Sequence, residues 1–282
     1  MRVTSSMVLR VLMIVSVVLA LPRSAGAAGW PAPAAGESAS GDIEVVLTFD
    51  DGPNPTTTPQ VLDILAKHDI QAVFFLVGEM VGSENKKVPA IVQRILRDGH
   101  VIANHTMTHQ DLCRVKPEKA VKDLDDGKAT IERVAGIPVH WFRAPYGVRC
   151  DRLDAMLAER GITHFHWDLD PQEWRHNNVD KTVKYVTGEL ARAHGRSVLL
   201  LHDIKAVTVQ ALPQILQWIA DENARRSKSR KRKIRILRPS LLAIEQLPPG
   251  LVDWVTDATA DLRQLPASIA SVLPQRAAAP RR

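Results

Sequence analysis

The stretch IEVVLTFDDGP, residues 43–53, decides the interpretation of the fold. Its first seven residues are mostly apolar or β-branched, which is typical of a buried strand, and two carboxylates and a Gly-Pro turn follow at once. Six more short runs of this type occur further along the chain. The seven predicted strands are residues 43–49, 72–77, 100–103, 139–142, 163–167, 197–201 and 234–237.

Helical patterns lie between these runs, and several begin at Pro or Asp and end near Gly. The predicted helices are residues 58–68, 89–98, 117–135, 152–160, 179–192 and 209–220. A repeated strand–helix order is typical of an α/β protein whose parallel strands carry helices on the outside. The pattern therefore predicts a single barrel-like α/β domain.

The N-terminus has the three parts of a secretory signal. Arg2 and Arg10 precede an apolar run at residues 11–21, and small residues occupy positions 25–27. An uncleaved membrane anchor is the alternative, but it would need about 18 apolar residues. We therefore expect a signal peptide over residues 1–27 and a secreted or periplasmic protein of the cell envelope, without stable membrane insertion after cleavage.

The remaining segments outside the domain are short. The chain has 282 residues, of which 45% are hydrophobic and 24% charged, and this composition excludes a disordered or coiled-coil protein. Residues 28–42 are predicted to be a linker rich in Pro, Ala, Gly and Ser. Residues 247–282 are predicted to form an amphipathic helix followed by a disordered tail.

Positive charge is concentrated near the C-terminal end of the domain. Removal of the signal would lower the formal charge from +6 to +3, and eight cations lie in RRSKSRKRKIR, residues 225–235. Such a stretch could bind an anionic polymer, a lipid or a nucleic acid through phosphates. We favour a solvated loop on the face opposite the predicted site, and no nucleic-acid partner, because no aromatic residue is interleaved for base stacking.

Only two cysteines are present, Cys113 and Cys150. An oxidising compartment would allow them to pair, and both follow motifs that are predicted to lie on the same face of the fold. Pairing and two free thiols remain equally open at this point. Neither cysteine has the neighbours of a catalytic thiolate.

Reactive side chains follow the predicted strands at their carboxyl ends. In a parallel barrel these ends converge on one mouth, so residues far apart in sequence become neighbours there. The residues placed in this way are Asp50, Asp51, His105, His109, Arg143, Asp168, Asp170 and His202. The order predicts one shared site at the mouth.

Two short motifs suggest metal chemistry. Asp50 and Asp51 end the first strand, and the Gly-Pro bend after them would let both carboxylates reach the mouth. His105 and His109 are four residues apart, which would place both imidazoles on one side of a helical turn and let them bind one ion with a carboxylate from elsewhere. No Glu follows His105, so the helical zinc-protease signature is absent.

The five stretches TFDDGP, HTMTH, FRAPYG, DLDPQEW and LLHD follow one another at residues 48–53, 105–109, 142–147, 168–174 and 200–203. In this order they resemble the five motifs of the polysaccharide deacetylase family, the carbohydrate esterases that include nodulation chitooligosaccharide deacetylases. The resemblance covers about residues 43–246. The fourth motif commonly ends in Asp-Trp, whereas here Glu173 precedes Trp174, at a position to which we assign neither a metal-binding nor an acid–base role.

The resemblance implies a distorted, incompletely closed (β/α)7-type barrel that holds one divalent metal. The implied metal ligands are Asp51, His105 and His109, with zinc as the usual ion and cobalt, nickel or manganese as alternatives. The other implied roles are Asp50 as general base held by Arg143, His202 as general acid with Asp170 as its partner, Trp174 and Leu200 around the acetyl methyl, and the Tyr146 backbone N–H at the oxyanion.

The implied reaction is hydrolysis of N-acetyl groups on an N-acetylhexosamine polymer such as peptidoglycan or chitin, with release of acetate. The acetylated polysaccharide would be the partner of the site. Two alternatives remain open. One is an esterase that removes O-acetyl groups from a xylan-type polysaccharide, and the other is a non-catalytic module that binds cell-wall glycan.

Overall fold

The computed structural model describes residues 41–240 and residue 242. The predicted signal at residues 1–27, nearly all of the predicted linker at residues 28–42 and the predicted C-terminal helix and tail at residues 247–282 lie outside the described residues. Among the helices that are described, none combines the length and the apolar character needed to cross a bilayer.

Seven parallel strands form one sheet, as the sequence predicts. The strands are β1 (Ile43–Asp50), β2 (Val73–Leu76), β3 (Val101–Asn104), β4 (Trp141–Phe142), β5 (Thr163–His164), β6 (Arg196–His202) and β7 (Ile234–Ile236). Their order across the sheet is β5-β4-β3-β2-β1-β6, and β7 pairs with the first residues of β1. Every pairing is parallel, so all strand C-termini lie at one end.

The sheet curls into a barrel that closes only at one point. The fifth strand is shorter than predicted, and the chain beyond it turns towards β6, where Leu169 forms an isolated parallel bridge with Leu199. The backbone N–H of Leu200 donates to the carbonyl of Leu169 at 2.9 Å. Because a single bridge joins the two ends of the sheet, the barrel is distorted and incompletely closed, as predicted.

Eight helices are described around the sheet. They are α1 (Thr57–Lys67), α2 (Gly78–Val81), α3 (Val88–Arg97), α4 (Pro117–Ala135), α5 (Asp151–Glu159), α6 (Glu173–His176), α7 (Val179–Arg192) and α8 (Ala206–Lys228), with a 3₁₀ turn at Pro145–Gly147. The six predicted helices are confirmed within one or two residues, except that α8 is longer at both ends. The short helices α2 and α6 were not predicted.

Alternation along β1 decides which side chains reach the barrel interior. Leu47 and Phe49 belong to the apolar layer between the sheet and the helices, whereas Val46 belongs to a second cluster on the opposite face of the sheet. Side chains two residues apart share a face, so Thr48 and Asp50 lie on the same face as Val46. The strand is buried on both faces, and Asp50 is therefore held at the carboxyl end of a rigid element.

Cys113 and Cys150 form a disulfide in the structure. Of the two possibilities that the sequence leaves open, pairing and two free thiols, the structure has the first. Cys113 lies in the loop after β3, and Cys150 immediately precedes α5. The bond therefore joins the two loops that follow β3 and β4 on the same end of the barrel.

Candidate active site

The carboxyl ends of four strands bring most of the predicted site residues together. Asp50 is the last residue of β1 and His202 is the last residue of β6, and the two residues are register partners across the paired strands. His105 directly follows β3, and Arg143 directly follows β4. The predicted convergence of separate motifs on one mouth is therefore observed.

Asp51, His105 and His109 form a compact group at this mouth. One potential ligand atom from each residue lies within 4.8 Å of the others, and Asp51 Oδ1 is 3.5 Å from His105 Nε2 and 3.2 Å from His109 Nε2. The chain leaves β1 at Asp51, whose φ of 75° lies in the left-handed region. The bend that turns this carboxylate thus occurs at Asp51 itself, one residue earlier than predicted.

The hydrogen bonding of this group fits a bound cation. His105 Nδ1 lies 2.7 Å from the carbonyl oxygen of Arg143, which can only accept, so Nδ1 carries the proton and the Nε2 lone pair is directed at Asp51. Asp51 Oδ1 is buried and has no hydrogen-bond donor of acceptable geometry among the described residues. Lone pairs that converge without a donor between them could hold a metal ion.

The loop that carries the two histidines is not the helical turn that their spacing predicted. Thr106 and His109 have φ of 70° and 56°, in the left-handed region. The carboxylate of Asp123 in α4 accepts the N–H groups of Met107 and Thr108, each at 2.7 Å, and the Thr108 hydroxyl at 2.8 Å. The loop backbone is bound to α4, so its N–H groups are not available for a helix.

Asp50 and Arg143 form the buried ion pair that the resemblance implies. Arg143 has no exposed surface, and its Nη1 donates to Asp50 Oδ1 at 2.7 Å and to Thr48 Oγ1 at 2.8 Å. Its other nitrogens donate to the carbonyls of Phe165 and His166, each at 3.2 Å. Burial lowers the pKa of Arg143, and the charge of Asp50 opposes this effect. Because the guanidinium is itself held by these hydrogen bonds, it keeps one oxygen of Asp50 in a fixed position.

The predicted partner of His202 is wrong. Glu173 Oε1, and not Asp170, accepts from His202 Nδ1 at 2.9 Å, and it also accepts from the His202 backbone N–H at 2.8 Å. Glu173 has no exposed surface. Burial opposes the charge on His202, but the hydrogen bond and the charge of Glu173 outweigh it and raise the pKa of the imidazole to about 9.

The two carboxylates in front of Glu173 have local roles in the backbone. Asp170 Oδ1 accepts the N–H of Gln172 at 2.8 Å, which closes a turn. Asp168 Oδ2 accepts the N–H of Val198 at 2.7 Å. Burial raises the pKa of Asp170, but no hydrogen bond joins it to His202 in the part of the chain that is described.

Two aromatic side chains and one leucine border the site. The Tyr146 ring is 69% exposed and meets the His109 ring at a centroid distance of 4.8 Å, and the Trp174 ring is 47% exposed beside His202, at 6.4 Å. Leu200 is buried and precedes His202 by two residues on β6, so the two side chains share a face. All three residues therefore border the mouth that carries Asp50, Asp51 and the histidines.

Asp203 is a buried carboxylate to which the motifs in the sequence assign no role. It accepts a short hydrogen bond from the Thr58 hydroxyl in α1, and it packs against Gly52, where an added Cβ would lie 2.3 Å from Asp203 Oδ2. Burial raises its pKa to about 7. The contact explains why glycine follows Asp51, since a side chain there would displace the loop.

The sequence does carry a signal for Glu173, although no role is predicted for it above. It is the acidic residue directly before Trp174, at the position where the family pattern usually carries Asp. The interpretation that gives this position no acid–base role is not supported, because Glu173 bonds His202. A carboxylate next to a site aromatic was a better candidate for the partner of His202 than one three residues earlier.

Comparisons with known proteins agree with this geometry. The family model described as polysaccharide deacetylase matches residues 37–165. A chitooligosaccharide deacetylase of a Bradyrhizobium species is 39% identical over 58% of this chain and 72% of its own length. A peptidoglycan-N-acetylglucosamine deacetylase of Bacillus cereus is 35% identical over 64% of this chain and 84% of its own length.

A solved structure gives the same result at the level of the fold. The peptidoglycan deacetylase PdaC of Bacillus subtilis aligns with a TM-score of 0.60 and 28% identity, over 80% of this chain and 98% of that structure. One family therefore accounts for the order of the motifs, for the barrel and for the arrangement of side chains at its mouth. The chain belongs to the polysaccharide deacetylase family of hydrolases.

Proposed function

We propose that this chain is an exported, metal-dependent hydrolase that removes N-acetyl groups from an N-acetylhexosamine polymer of the peptidoglycan or chitin type and releases acetate. One observation carries the proposal. A potential metal-ligand group, Asp51 with His105 and His109, lies at the same mouth as an arginine-held carboxylate and a cationic histidine. Amide hydrolysis requires a nucleophile, a means to stabilise the oxyanion and a proton donor for the amine.

The ligand group would hold one divalent ion. Two imidazoles and one carboxylate suit zinc and also cobalt, nickel or manganese. When bound, such an ion lowers the pKa of water and polarises the acetyl carbonyl. His105 is prepared for this task because the Arg143 carbonyl fixes its tautomer.

Asp50 would act as the general base. Arg143 occupies its Oδ1, so Oδ2, which lies 3.7 Å from His105 Nε2, is the oxygen that can accept a proton from the attacking water. The guanidinium also stabilises the ionised carboxylate. The water adds to the acetyl carbonyl carbon as its proton moves to Asp50, and the Tyr146 backbone N–H would donate to the oxyanion.

His202 would act as the general acid. Its Nδ1 is bonded to Glu173, so Nε2 is free to donate a proton to the departing nitrogen as the C–N bond breaks. The raised pKa keeps this imidazole protonated at neutral pH. Acetate and a free amine on the sugar are the products, with Trp174 and Leu200 beside the acetyl methyl.

The substrate class is supported by the nature of the relatives and by the open site. The relatives named above act on chitooligosaccharide and on peptidoglycan N-acetylglucosamine. Exposed rings of Tyr146 and Trp174 provide flat apolar surfaces beside the site, as sugar rings require. The N-terminal pattern of a signal supports export to the compartment where such polymers occur.

Acetate release from a panel of acetylated glycans tests the proposal. The panel contains chitooligosaccharides, peptidoglycan and acetylated xylan, each with and without a chelator. We expect chelator-sensitive release from the first two and weak release from xylan. Preferred release from xylan would indicate the O-acetyl esterase, and no release from any glycan despite binding would indicate a non-catalytic module.

A further inference from the structure

The basic segment, residues 225–235, is the most strongly charged surface feature of the described chain. It carries eight cations, and no acidic residue occurs between Glu222 and Glu245. Its composition alone predicts a solvated loop. In the structure its first residues, through Lys228, are the last turn of α8, residues 229–233 connect that helix to β7, and residues 234 and 235 belong to β7.

This connection is an ordered part of the fold. The Asn223 side chain bonds both the N–H and the carbonyl of Ile234, each at 2.8 Å, and so ties α8 to β7. The N–H of Lys231 donates to the carbonyl of Arg226 at 2.9 Å, and the Arg226 guanidinium donates to the carbonyl of Arg232 at 3.1 Å. The cations are therefore presented at a defined place.

Some cations of the segment have acidic partners. Arg225 and Arg226 pair with Glu222, and Arg235 lies 4.0 Å from Asp42. The side chains of the others form no ion pair within the described ranges and are all exposed, although the backbone N–H of Lys233 donates to Asp42 Oδ1 at 3.1 Å. They form the cationic cluster, which consists of Lys228, Arg230, Lys231, Arg232 and Lys233.

Five like charges within six residues repel one another, and a partner with dense negative charge would relieve that repulsion. Residues 225–233 contain only Arg, Lys and Ser, and Ile234 is buried, so the segment offers neither an aromatic ring for a nucleic-acid base nor an exposed apolar side chain for insertion into lipid. The partner must therefore be bound by charge alone.

The position of the cationic cluster on the barrel favours a flat surface over a soluble polymer as its binding partner. The cluster precedes β7, at the end of the barrel opposite the strand C-termini that carry the site. A glycan bound at this end would not be presented to the mouth, whereas a flat surface bound there would leave the mouth pointing away from it.

We propose that the cationic cluster docks the protein on a bilayer of anionic phospholipid, by electrostatic attraction and without insertion, so that the barrel mouth faces away from the membrane. The docking does not depend on the proposed function, because binding to a membrane requires no catalysis. Clusters of this size are sufficient for reversible attachment to anionic lipid.

Vesicle co-sedimentation tests the docking. Wild-type full chain is compared with a variant in which the five cluster residues are changed to Gln, on vesicles of pure phosphatidylcholine and on vesicles with about 30% phosphatidylglycerol. Binding through apolar segments contributes to both vesicle types, so it cancels when the bound fraction on neutral vesicles is subtracted from that on anionic vesicles. We expect the wild type to prefer the anionic vesicles, with a preference that falls as salt rises, and the variant to lose about tenfold or more of that preference.

A matched control carries Gln at Lys86, Lys87, Lys116, Lys119 and Lys184, five exposed lysines outside the segment. It has the same net charge as the cluster variant and should retain the preference. An equal loss in both variants would show that only net charge matters and would overturn the proposal. Tighter, cluster-dependent binding of inorganic polyphosphate than of anionic vesicles would also overturn it, in favour of a soluble polyanion.

The orientation has a separate test. Acetate release from a soluble chitooligosaccharide is measured with the enzyme free and vesicle-bound. We expect the two rates to agree, because the mouth stays open to solution. Loss of activity on binding would place the mouth against the bilayer and overturn the orientation, whereas no activity in either state would contradict the proposed function and leave the docking result intact.

Discussion

Asp50 and Asp51 are adjacent in the chain, yet their surroundings give the two carboxylates different chemistry. Asp50 ends a buried strand and pairs with a fully buried guanidinium, whereas Asp51 lies beyond the strand and faces two imidazoles. The sequence predicted this division because a bend directly after a strand allows neighbouring side chains to reach one mouth. The site therefore depends on the backbone at one residue, Asp51, with its left-handed φ.

Asp50→Asn should separate turnover from metal binding. The amide keeps an oxygen for Arg143 but is a far weaker base, so we expect kcat to fall by about 100-fold or more. Metal content per chain should be unchanged, because Asp50 is outside the ligand group. Acetate assays and metal analysis of the purified variant check this, and near wild-type turnover would refute the assignment of the base.

The charge of Glu173 should set the upper pH limit of activity. His202 must be protonated to donate, so activity is lost as pH rises through its folded pKa of about 9. Glu173→Gln removes the main cause of the raised pKa, and the alkaline limb of the kcat profile should move to lower pH by about one unit or more.

Asp170→Asn is the matched control, because it removes a charge from the same loop without touching His202. Its alkaline limb should stay close to that of the wild type. A shift as large as that of Glu173→Gln would restore Asp170 as the partner of the histidine.

The sequence could name the residue types of this site but not every pairing. Asp51 and His105 are the residues directly after β1 and β3, so the ends of parallel strands are enough to place them at one mouth. Glu173 lies beyond a turn in which Gln172 has φ of 54°, and the path of such a turn decides which carboxylate points inward. Nothing in the residue spacing alone encodes that path.

At the scale of elements, the conformation of the loop that carries His105 and His109 depends on α4. The loop after β3 donates backbone hydrogen bonds to the Asp123 carboxylate. Gly127, one turn along the same helix, leaves room for the Thr106 backbone, which an added Cβ would approach to 2.5 Å. The spacing of the histidines predicted that they share an ion but not the conformation that brings them together. The conformation is set by a helix that lies later in the chain.

Asp123→Ala should weaken metal binding although Asp123 does not touch the ligand atoms. It removes three hydrogen bonds that hold the loop of His105 and His109, and losses of this kind cost about 10- to 100-fold in metal affinity. Competition with a chelator measures the change. Asp123→Asn keeps one acceptor oxygen for the two N–H groups and should lose less; equal affinity in wild type and Asp123→Ala would contradict the role of α4.

Apolar periodicity in the sequence does not predict where every helix ends. Residues 209–220 were predicted from their apolar spacing, but α8 continues to Lys228 through DENARRSK, a polar run with no apolar face. The extension is fixed by contacts such as the Arg226–Glu222 pair, four residues apart on the helix. This continuation brings the basic segment into the ordered structure.

At the scale of the whole molecule, the strand–helix order was sufficient to predict a parallel barrel with one functional mouth, since connections of this kind keep strands parallel. It did not predict how the barrel closes. Closure depends on Leu169 and Leu199, which are 30 residues apart and joined by one bridge. A single bridge leaves no periodic signal in the sequence.

The disulfide should stabilise the whole domain and also the mouth. Cys113 and Cys150 are 37 residues apart, and a cross-link of this span stabilises the folded state by about 4 kcal/mol through the entropy of the unfolded chain. The bond ties the loop of His109 to the loop of Tyr146, whose rings are in contact. We expect the double variant Cys113→Ser, Cys150→Ser to melt on the order of 10 °C lower. Reductant should lower the wild-type Tm to a similar value and leave that of the double variant unchanged, whereas a wild-type Tm that reductant does not alter would show that the bond carries little of the stability.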